Sequence, residues 1–218
     1  MQKMVLTLRG YNSAECAGTV NVLGLHIDAK LTWGILGEAL SNVLCRAVFL
    51  LRRLSVVVDL TVLRTVYFAV FHSRMSYCLM VWGHSAILHR IFGLQRKAVR
   101  IIAGIGYRQD CRSAFVRLGI LTLPDLYIYK CLLHVRRGLE QYTVNQARHA
   151  HNTRGVDDIY LERTRLYKSR TGVNYWGPKF YNALDRKIKD LPIKLFAKQT
   201  RELLLGKAHY NVAEYFDD

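Results

Sequence analysis

Proline is scarce in this chain, and its scarcity limits the class of structure. The 218 residues include only 3 prolines, while 51% of the residues are hydrophobic. A chain with so much apolar material and so few helix breakers can form a packed core, which excludes a loop-rich or intrinsically disordered polypeptide. We therefore expect a mainly α-helical globular protein with one domain or two small ones.

Acidic side chains are also few. The sequence has 16 Asp and Glu against 32 Lys and Arg, which leaves a formal net charge of +16. The imbalance is steepest between residues 35 and 105, where 9 basic side chains stand against 2 acidic ones. Such an excess favours a polyanion as the partner.

Paired cysteine motifs and long apolar runs are missing as well. The 5 cysteines are widely and irregularly spaced, without the C-x-x-C pair that begins zinc or redox motifs, so we expect a reduced compartment, cytoplasmic or nuclear. The most apolar stretch, Leu54 to Phe71, is interrupted by Asp59 and Arg64. It falls short of the roughly 18 apolar residues of a membrane span, and we expect no membrane partner.

The first third of the chain predicts a hairpin followed by a helical bundle. Thr19 to Ile27 is rich in β-branched residues, and Asp28 to Lys30 supplies a turn, so we expect a short β-hairpin that must pack on something else to be stable. Apolar residues at spacings of three and four then predict three packed helices. These are Glu38 to Leu54, a second helix from the capping residue Asp59 to Gly83, and Ser85 to Ala103.

The second half of the chain predicts further helices around a long connection. Thr122 and Pro124 are suited to the start of a helix, and Gly138 to its end. Gln141 to Gly177 has no clean periodicity, so we expect a loop-rich segment there. A last helical pair is predicted for Lys179 to Asp190 and Ile193 to Leu205.

The third predicted helix carries opposite faces of different character. At 100° per residue its apolar side chains lie on one side, and four cations lie within about 120° on the other. No acid lies four residues away to pair with them, and a phosphate backbone would relieve their mutual repulsion. With two arginines that end the first helix, the predicted nucleic-acid-binding residues are Arg52, Arg53, Arg90, Arg96, Lys97 and Arg100.

Two other patterns suggest metal chemistry and are weaker. Tyr215 to Asp218 has the Y-x-D-D form of polymerase sites, but two-metal catalysis needs a rigid platform, and these are the last residues of the chain. We interpret them as an acidic tail. His149 and His151 are two imidazoles without further ligands at suitable spacing, so we favour a surface role for them. We expect no catalytic residue, no metal site and no cofactor in this chain.

Several stretches resemble the C-terminal part of non-LTR (LINE-like, jockey-type) retrotransposon reverse transcriptases. The likeness runs from about Thr19 to Tyr215. Its most specific part joins a segment of the form L-G-x-x-x-D-x-K-L-T-W to the helices behind it. The stretches are TVNVLGLHIDAKLTW, CRAVFLLRRLSVVVDLTVLRTVYFAVFHSRMSYCLMVWG, LQRKAVRIIAG, LTLPDLYIYKCLL, HNTR and LPIKLFAKQTRELLL.

The resemblance implies a role for each region. Leu23 and Gly24 are similar to part of the primer-grip hairpin, and the helices that follow resemble the thumb that lies along the template-primer duplex. In that family the catalytic Y/F-x-D-D precedes the L-G hairpin, whereas here it follows Gly24. The resemblance therefore implies three regions: a remnant of the palm edge (1–34), a thumb-like bundle (35–105) and a basic helical C-terminal region (106–218).

The sequence as a whole predicts a binding module rather than an enzyme. We expect a truncated C-terminal piece of an RNA-directed DNA polymerase that lacks the palm, where the parent polymerase would hold magnesium. Its partner would be RNA or an RNA:DNA duplex, bound without sequence specificity through the phosphates. The alternative is a helical interaction protein that packs on a separate palm domain or on itself, since an unpaired hairpin would expose apolar side chains.

Overall fold

The computed structural model describes residues 18–145, 158–161 and 171–217, and over these it is mainly helical, as the sequence predicts. A two-stranded antiparallel hairpin precedes the helices. The strands are β1 (Thr19–Val22) and β2 (Leu25–Asp28). The helices are α1 (Gly34–Leu54), α2 (Leu60–Val66), α3 (Ser73–Met75), α4 (Leu79–Trp82), α5 (Ile87–Ala103), α6 (Arg112–Leu118), α7 (Leu123–Arg137), α8 (Val173–Ala183), α9 (Arg186–Lys189) and α10 (Ile193–Lys207).

The hairpin turns at Leu23 and Gly24, five residues before the turn expected at Asp28 to Lys30. Leu23 and Gly24 both have positive φ (51° and 79°), and Val22 pairs with Leu25 across this tight turn. Positive φ at both central residues is the geometry that matches the twist of a two-residue hairpin. Asp28 instead organises the entry into α1, where its carboxylate accepts the backbone N–H groups of Thr32 (3.0 Å) and Trp33 (2.8 Å).

Helices α1 and α5 form the long pair at the centre of the N-terminal half. The first turn of α1 lies against the start of α5, since a Cβ on Gly37 would come within 2.7 Å of Ile87 Cγ2. The contact between these two helices is also the most extensive of any pair of described elements. They therefore run parallel, and their C-terminal ends lie at the same end of the pair.

The predicted second helix is broken into several pieces. A π-helix over Tyr67–His72 follows α2, and the chain then bends at Cys78, which has a φ of 47°. The expectation of one continuous helix is therefore wrong. The segment still contributes to the core, because Tyr67, Phe71, Met75 and Leu79 are fully buried along it.

The π-helix carries a histidine with a strongly perturbed pKa. Burial, with smaller contributions from the charges of Lys130 and Arg201, lowers the pKa of His72 to about 4. As the pH falls through about 6.5, the His72 imidazole therefore takes up a proton in the unfolded chain but not in the folded chain. The stability that His72 contributes is fully present above about pH 6.5 and is lost as the pH falls toward about 4.

We expect His72→Gln to lose less stability on acidification than the wild type. Urea unfolding at about pH 7 and about pH 5 measures this as the change in unfolding free energy between the two conditions. His89→Gln, at an exposed position of α5, is the matched control and should behave as the wild type does. An identical pH response in all three proteins would contradict this assignment.

The ends of the helices follow local capping rules. Gly104 and Gly119 end α5 and α6 with positive φ (66° and 65°), which glycine adopts without steric cost. Asp59 caps α2 by accepting the N–H of Val62 (2.9 Å), and Thr122 caps α7 by accepting the N–H of Asp125 (3.2 Å). The predictions for Asp59 and Thr122 are confirmed, and α5 ends at Ala103 as expected, whereas α6 was not predicted.

The C-terminal region differs from the prediction in its boundaries. Helix α8 begins at Val173, inside the segment expected to be a loop, and ends at Ala183. A separate turn of helix, α9, follows it, so the predicted helix from Lys179 to Asp190 is two elements. Helix α10 begins at Ile193, as expected after Pro192, and continues to Lys207.

One continuous hydrophobic core connects the N-terminal and C-terminal halves. Polar contacts also cross the predicted boundary at residue 105. The buried Gln95 amide donates to the Leu121 carbonyl (2.9 Å), and the Arg64 guanidinium donates to the Leu118 carbonyl (2.8 Å). The division into regions at residues 34 and 105 stays a prediction.

One described helix, α1, is long and apolar enough to cross a membrane by length and composition. The most apolar stretch of the sequence was Leu54 to Phe71, but the helix that passes this test in the structure is α1. The pair α6 and α7 passes the same test only if it is taken as one span with a 53° bend. Core helices of soluble proteins also pass it, so neither observation decides for a membrane.

Candidate nucleic-acid interface

The exposed cations of α5 form the centre of the predicted interface. Arg90 and Lys97 are seven residues apart, about two helical turns, so they lie on one face of the helix, and both are exposed. Among the described residues neither forms an ion pair with a carboxylate. Their charge is therefore available to a phosphate backbone.

The other two predicted cations of α5 are partly used inside the protein. The Arg96 guanidinium lies over the rings of Phe92 (5.2 Å to the centroid) and Tyr210 (5.6 Å), and it is half-buried. Arg100 donates through Nε to the Gln109 carbonyl at 2.9 Å. The four cations are thus unequal, and two of them hold the C-terminal segment and the loop after α5 in place.

Arg52 and Arg53 lie in the last turn of α1 and are exposed. Because α1 and α5 run parallel, these two arginines lie at the same end of the helix pair as Arg100. Arg117 also reaches this end, where its Nη2 donates to the Ala103 carbonyl at 3.4 Å. The basic end of the bundle therefore gathers cations from three helices.

Sequence reasoning missed Arg117 and the exposed Arg108 in the loop after α5. A signal was available, because the chain from Arg90 to Arg117 contains seven basic residues and one acid, Asp110. That acid is itself engaged, since Tyr210 donates its hydroxyl to Asp110 Oδ1 at 2.6 Å. The cationic stretch is thus longer than the helix on which it was recognised.

The primer-grip-like residues lie at the tip of the hairpin. The side chain of Leu23 is 87% exposed, and Gly24 follows it in the turn. The Tyr77 hydroxyl donates to the Leu23 carbonyl at 2.7 Å, which ties the tip to the segment between α3 and α4. The Tyr77 side chain is itself 49% exposed.

The residues that match Y-x-D-D are part of an aromatic cluster. Tyr215 and Phe216 lie in a 3₁₀ turn, Ala213–Phe216, and not on a strand. Tyr215 is buried and donates its hydroxyl to the Phe180 carbonyl at 3.2 Å, while the Phe216 ring stacks on the Phe180 ring at 5.6 Å. Asp217 is exposed, and Asp218 lies outside the described residues. The tail is thus anchored by its aromatic residues.

The described residues contain no group of three or more His, Cys, Asp or Glu side chains arranged to hold a metal ion. His149 and His151 lie outside the described residues, and their interpretation stays a prediction. Four cysteines fall within the described part of the chain, and all are free thiols.

Comparison of the chain with protein-family models, with curated proteins and with solved structures finds no match. The resemblance to retrotransposon reverse transcriptases therefore stays a prediction from the sequence motifs alone.

Proposed function

We propose that this chain is a thumb-like nucleic-acid-binding module from the C-terminal part of a non-LTR retrotransposon reverse transcriptase. It would hold RNA or an RNA:DNA duplex by its phosphate backbone, without reading the bases. The chain would contribute binding, while polymerisation and its magnesium would belong to a palm supplied elsewhere in the parent protein.

The observation that carries this proposal is the unpaired charge of the bundle. Arg52, Arg53, Arg90 and Lys97 are exposed, and no described carboxylate forms an ion pair with any of them. A long-range field of one sign raises the rate and the strength of association with a polyanion. The resemblance to the thumb indicates that this polyanion is RNA or an RNA:DNA duplex.

The experiment that tests the proposal compares a pair of exposed cations on α5 with a pair on a different helix. We expect R90Q/K97Q to weaken binding to a labelled RNA:DNA duplex by roughly tenfold near 0.1 M salt, because two phosphate contacts and their counterion release are lost. Fluorescence anisotropy gives the dissociation constants. The variant should keep the circular dichroism spectrum and unfolding midpoint of the wild type, because both side chains are exposed.

The control pair is R186Q/K187Q on α9, which removes the same charge from a different exposed surface. Equal weakening by both pairs would mean that the net charge alone drives binding and that α5 has no special role. No binding by the wild type at low salt would contradict the proposal itself.

A second candidate function is protein interaction through the hairpin, and a specific observation favours it. Strand β1 is exposed along its whole length, with Val20 at 51% and Val22 at 47%. The outer edge of β1 has no strand partner among the described residues, and an edge of this kind invites pairing with another chain. Light scattering distinguishes the two candidates, because hairpin pairing gives a dimer or larger species without nucleic acid.

A further inference from the structure

A groove of about 690 Å³ lies beside α1 and is separate from the basic end of the bundle. It is lined by the hairpin, by α1 and by the segment from α3 to α4, and its lining includes Leu25, Leu36 and Trp82. These three side chains are buried in the core. The groove therefore has a rigid apolar floor of the size that ligand sites use.

The floor of the groove follows a regular stripe along α1. Leu36, Ala39, Leu40, Val43 and Arg46 contribute to it, at helical spacings of three and four. At 1.5 Å per residue the stripe extends about 15 Å, or nearly three turns. Ala39, Leu40 and Val43 are only half-buried, so this face of α1 stays open to solvent.

Helix α1 is strongly apolar, yet much of its surface is not covered by the rest of the described chain. It is apolar enough to pass the test for a membrane span, yet only 39% of its most apolar window is buried. Contiguous apolar surface of this kind marks an interaction site in a soluble protein. The groove is the part of that surface that has depth.

The charged side chains that the structure describes around the groove have one sign. Arg46 and Arg74 line it, together with His26, and the described part of its lining contains no Asp or Glu. Both arginines are exposed, and neither forms an ion pair with a described carboxylate. An occupant should therefore combine an apolar face with negative charge beside it.

We propose that this groove binds an amphipathic helix of a partner protein. The occupant has apolar side chains at spacings of three, four and seven, which pack along the α1 stripe, and glutamate or aspartate residues beside that face, which meet Arg46 and Arg74. Helix-in-groove recognition uses this pattern of anchors. The apolar floor distinguishes the groove from the phosphate-binding surface, and the inference is independent of the proposed nucleic-acid function.

The test uses a fluorescein-labelled peptide about 15 residues long, a length at which a helix can form. The probe carries leucines at the stated spacing and glutamates beside them. A control peptide replaces every glutamate with lysine. We expect the full chain to bind the glutamate peptide at least about tenfold more tightly than the lysine peptide, by anisotropy.

Two variants test whether the groove is the site. R46E/R74E should reverse the preference between the two peptides, and because both side chains are exposed it should fold as the wild type does. V43D should abolish binding of both peptides, and its circular dichroism spectrum checks that it folds. R90E, at the exposed face of α5, is the control and should bind both peptides as the wild type does.

Three results would overturn the proposal. These are no binding of the glutamate peptide up to about 1 mM, equal binding of the two peptides, and an R46E/R74E variant that keeps the wild-type preference. Displacement of the peptide by decanoate with no reversal in R46E/R74E would assign the groove to a small amphipathic anion instead. R46E/R74E should also keep its affinity for the RNA:DNA duplex to within about threefold, which separates this proposal from the nucleic-acid function.

Discussion

Replacing Asp125 with alanine is expected to lower the free energy of unfolding by about 3–5 kcal/mol, because it leaves a buried partner without compensation. Asp125 is in the first turn of α7 and is fully buried. Its Oδ1 is 2.5 Å from His209 Nδ1, and its Oδ2 accepts the backbone N–H of His209 at 2.9 Å. The carboxyl thus fixes both the ring and the backbone of the segment after α10.

The hydroxyl of Thr122 completes the arrangement by donating to Asp125 Oδ2 at 2.8 Å. Burial raises the pKa of the Asp125 carboxyl, while the hydrogen bonds from His209 favour its charged form. Removal of the carboxyl leaves three donors in a dry environment, and each unsatisfied donor costs about 1–3 kcal/mol. The 3–5 kcal/mol given above is therefore the expected net loss after partial relaxation.

Urea unfolding followed by circular dichroism measures this loss for Asp125→Ala, His209→Ala and the double variant. We expect the double variant to be destabilised by less than the sum of the two single effects. Each single change leaves the other buried partner unpaired, and the double change does not. Glu202→Ala, on the exposed face of α10, should stay within about 0.5 kcal/mol of the wild type. Additive single effects would mean that the two residues do not act together.

Phe180→Ala is the second change with a large expected effect, about 3–5 kcal/mol, because it empties the centre of an aromatic cluster. The ring is fully buried. Its centroid lies 6.0 Å from that of Tyr127 and 5.6 Å from those of Trp176, Tyr215 and Phe216. It therefore joins α7, α8 and the C-terminal turn.

The same urea experiment measures the effect, and Phe49→Ala is the matched control because Phe49 is 65% exposed on α1. We expect that control to change stability by less than about 1 kcal/mol. Near-UV circular dichroism should lose signal in Phe180→Ala, since several rings lose their fixed packing. A loss no greater than that of Phe49→Ala would contradict the role of Phe180 as the centre of the cluster.

Local signals in the sequence were sufficient for the helices whose ends are capped. Asp59, Thr122 and Gly104 each satisfy backbone groups within a few residues of themselves, so their roles can be recognised without tertiary structure. The start of α10 after Pro192 follows the same logic. The class of fold, mainly helical with one hairpin, was predictable for this reason.

The differences arise where distant contacts decide the backbone. The apolar pattern of residues 60–82 predicts one helix. No residue pattern within this segment predicts the π-helix or the positive φ of Cys78. The Trp82 indole nitrogen, which donates to the Tyr77 carbonyl at 3.0 Å, crosses this bend. Helix α6 has only seven residues, too few for a periodic pattern to be recognised.

The candidate site was predictable in its chemistry and only partly in its members. Helical spacing correctly identified the exposed face with Arg90 and Lys97. It could not reveal that Arg96 lies against Tyr210, because that residue comes from the far end of the chain and the contact depends on the docking of His209 on Asp125. For the same reason the anchoring of Tyr215 was not foreseen.

The most direct test of the central claim is the salt dependence of binding to an RNA:DNA duplex. We compare the wild type with a variant in which Arg52, Arg53, Arg90 and Lys97 are glutamine. If each exposed cation neutralises one phosphate, the slope of log K against log salt should become shallower by about 0.7–0.9 for each, or roughly three in all. Identical slopes for the two proteins would contradict the claim that these four exposed cations form a phosphate-binding surface.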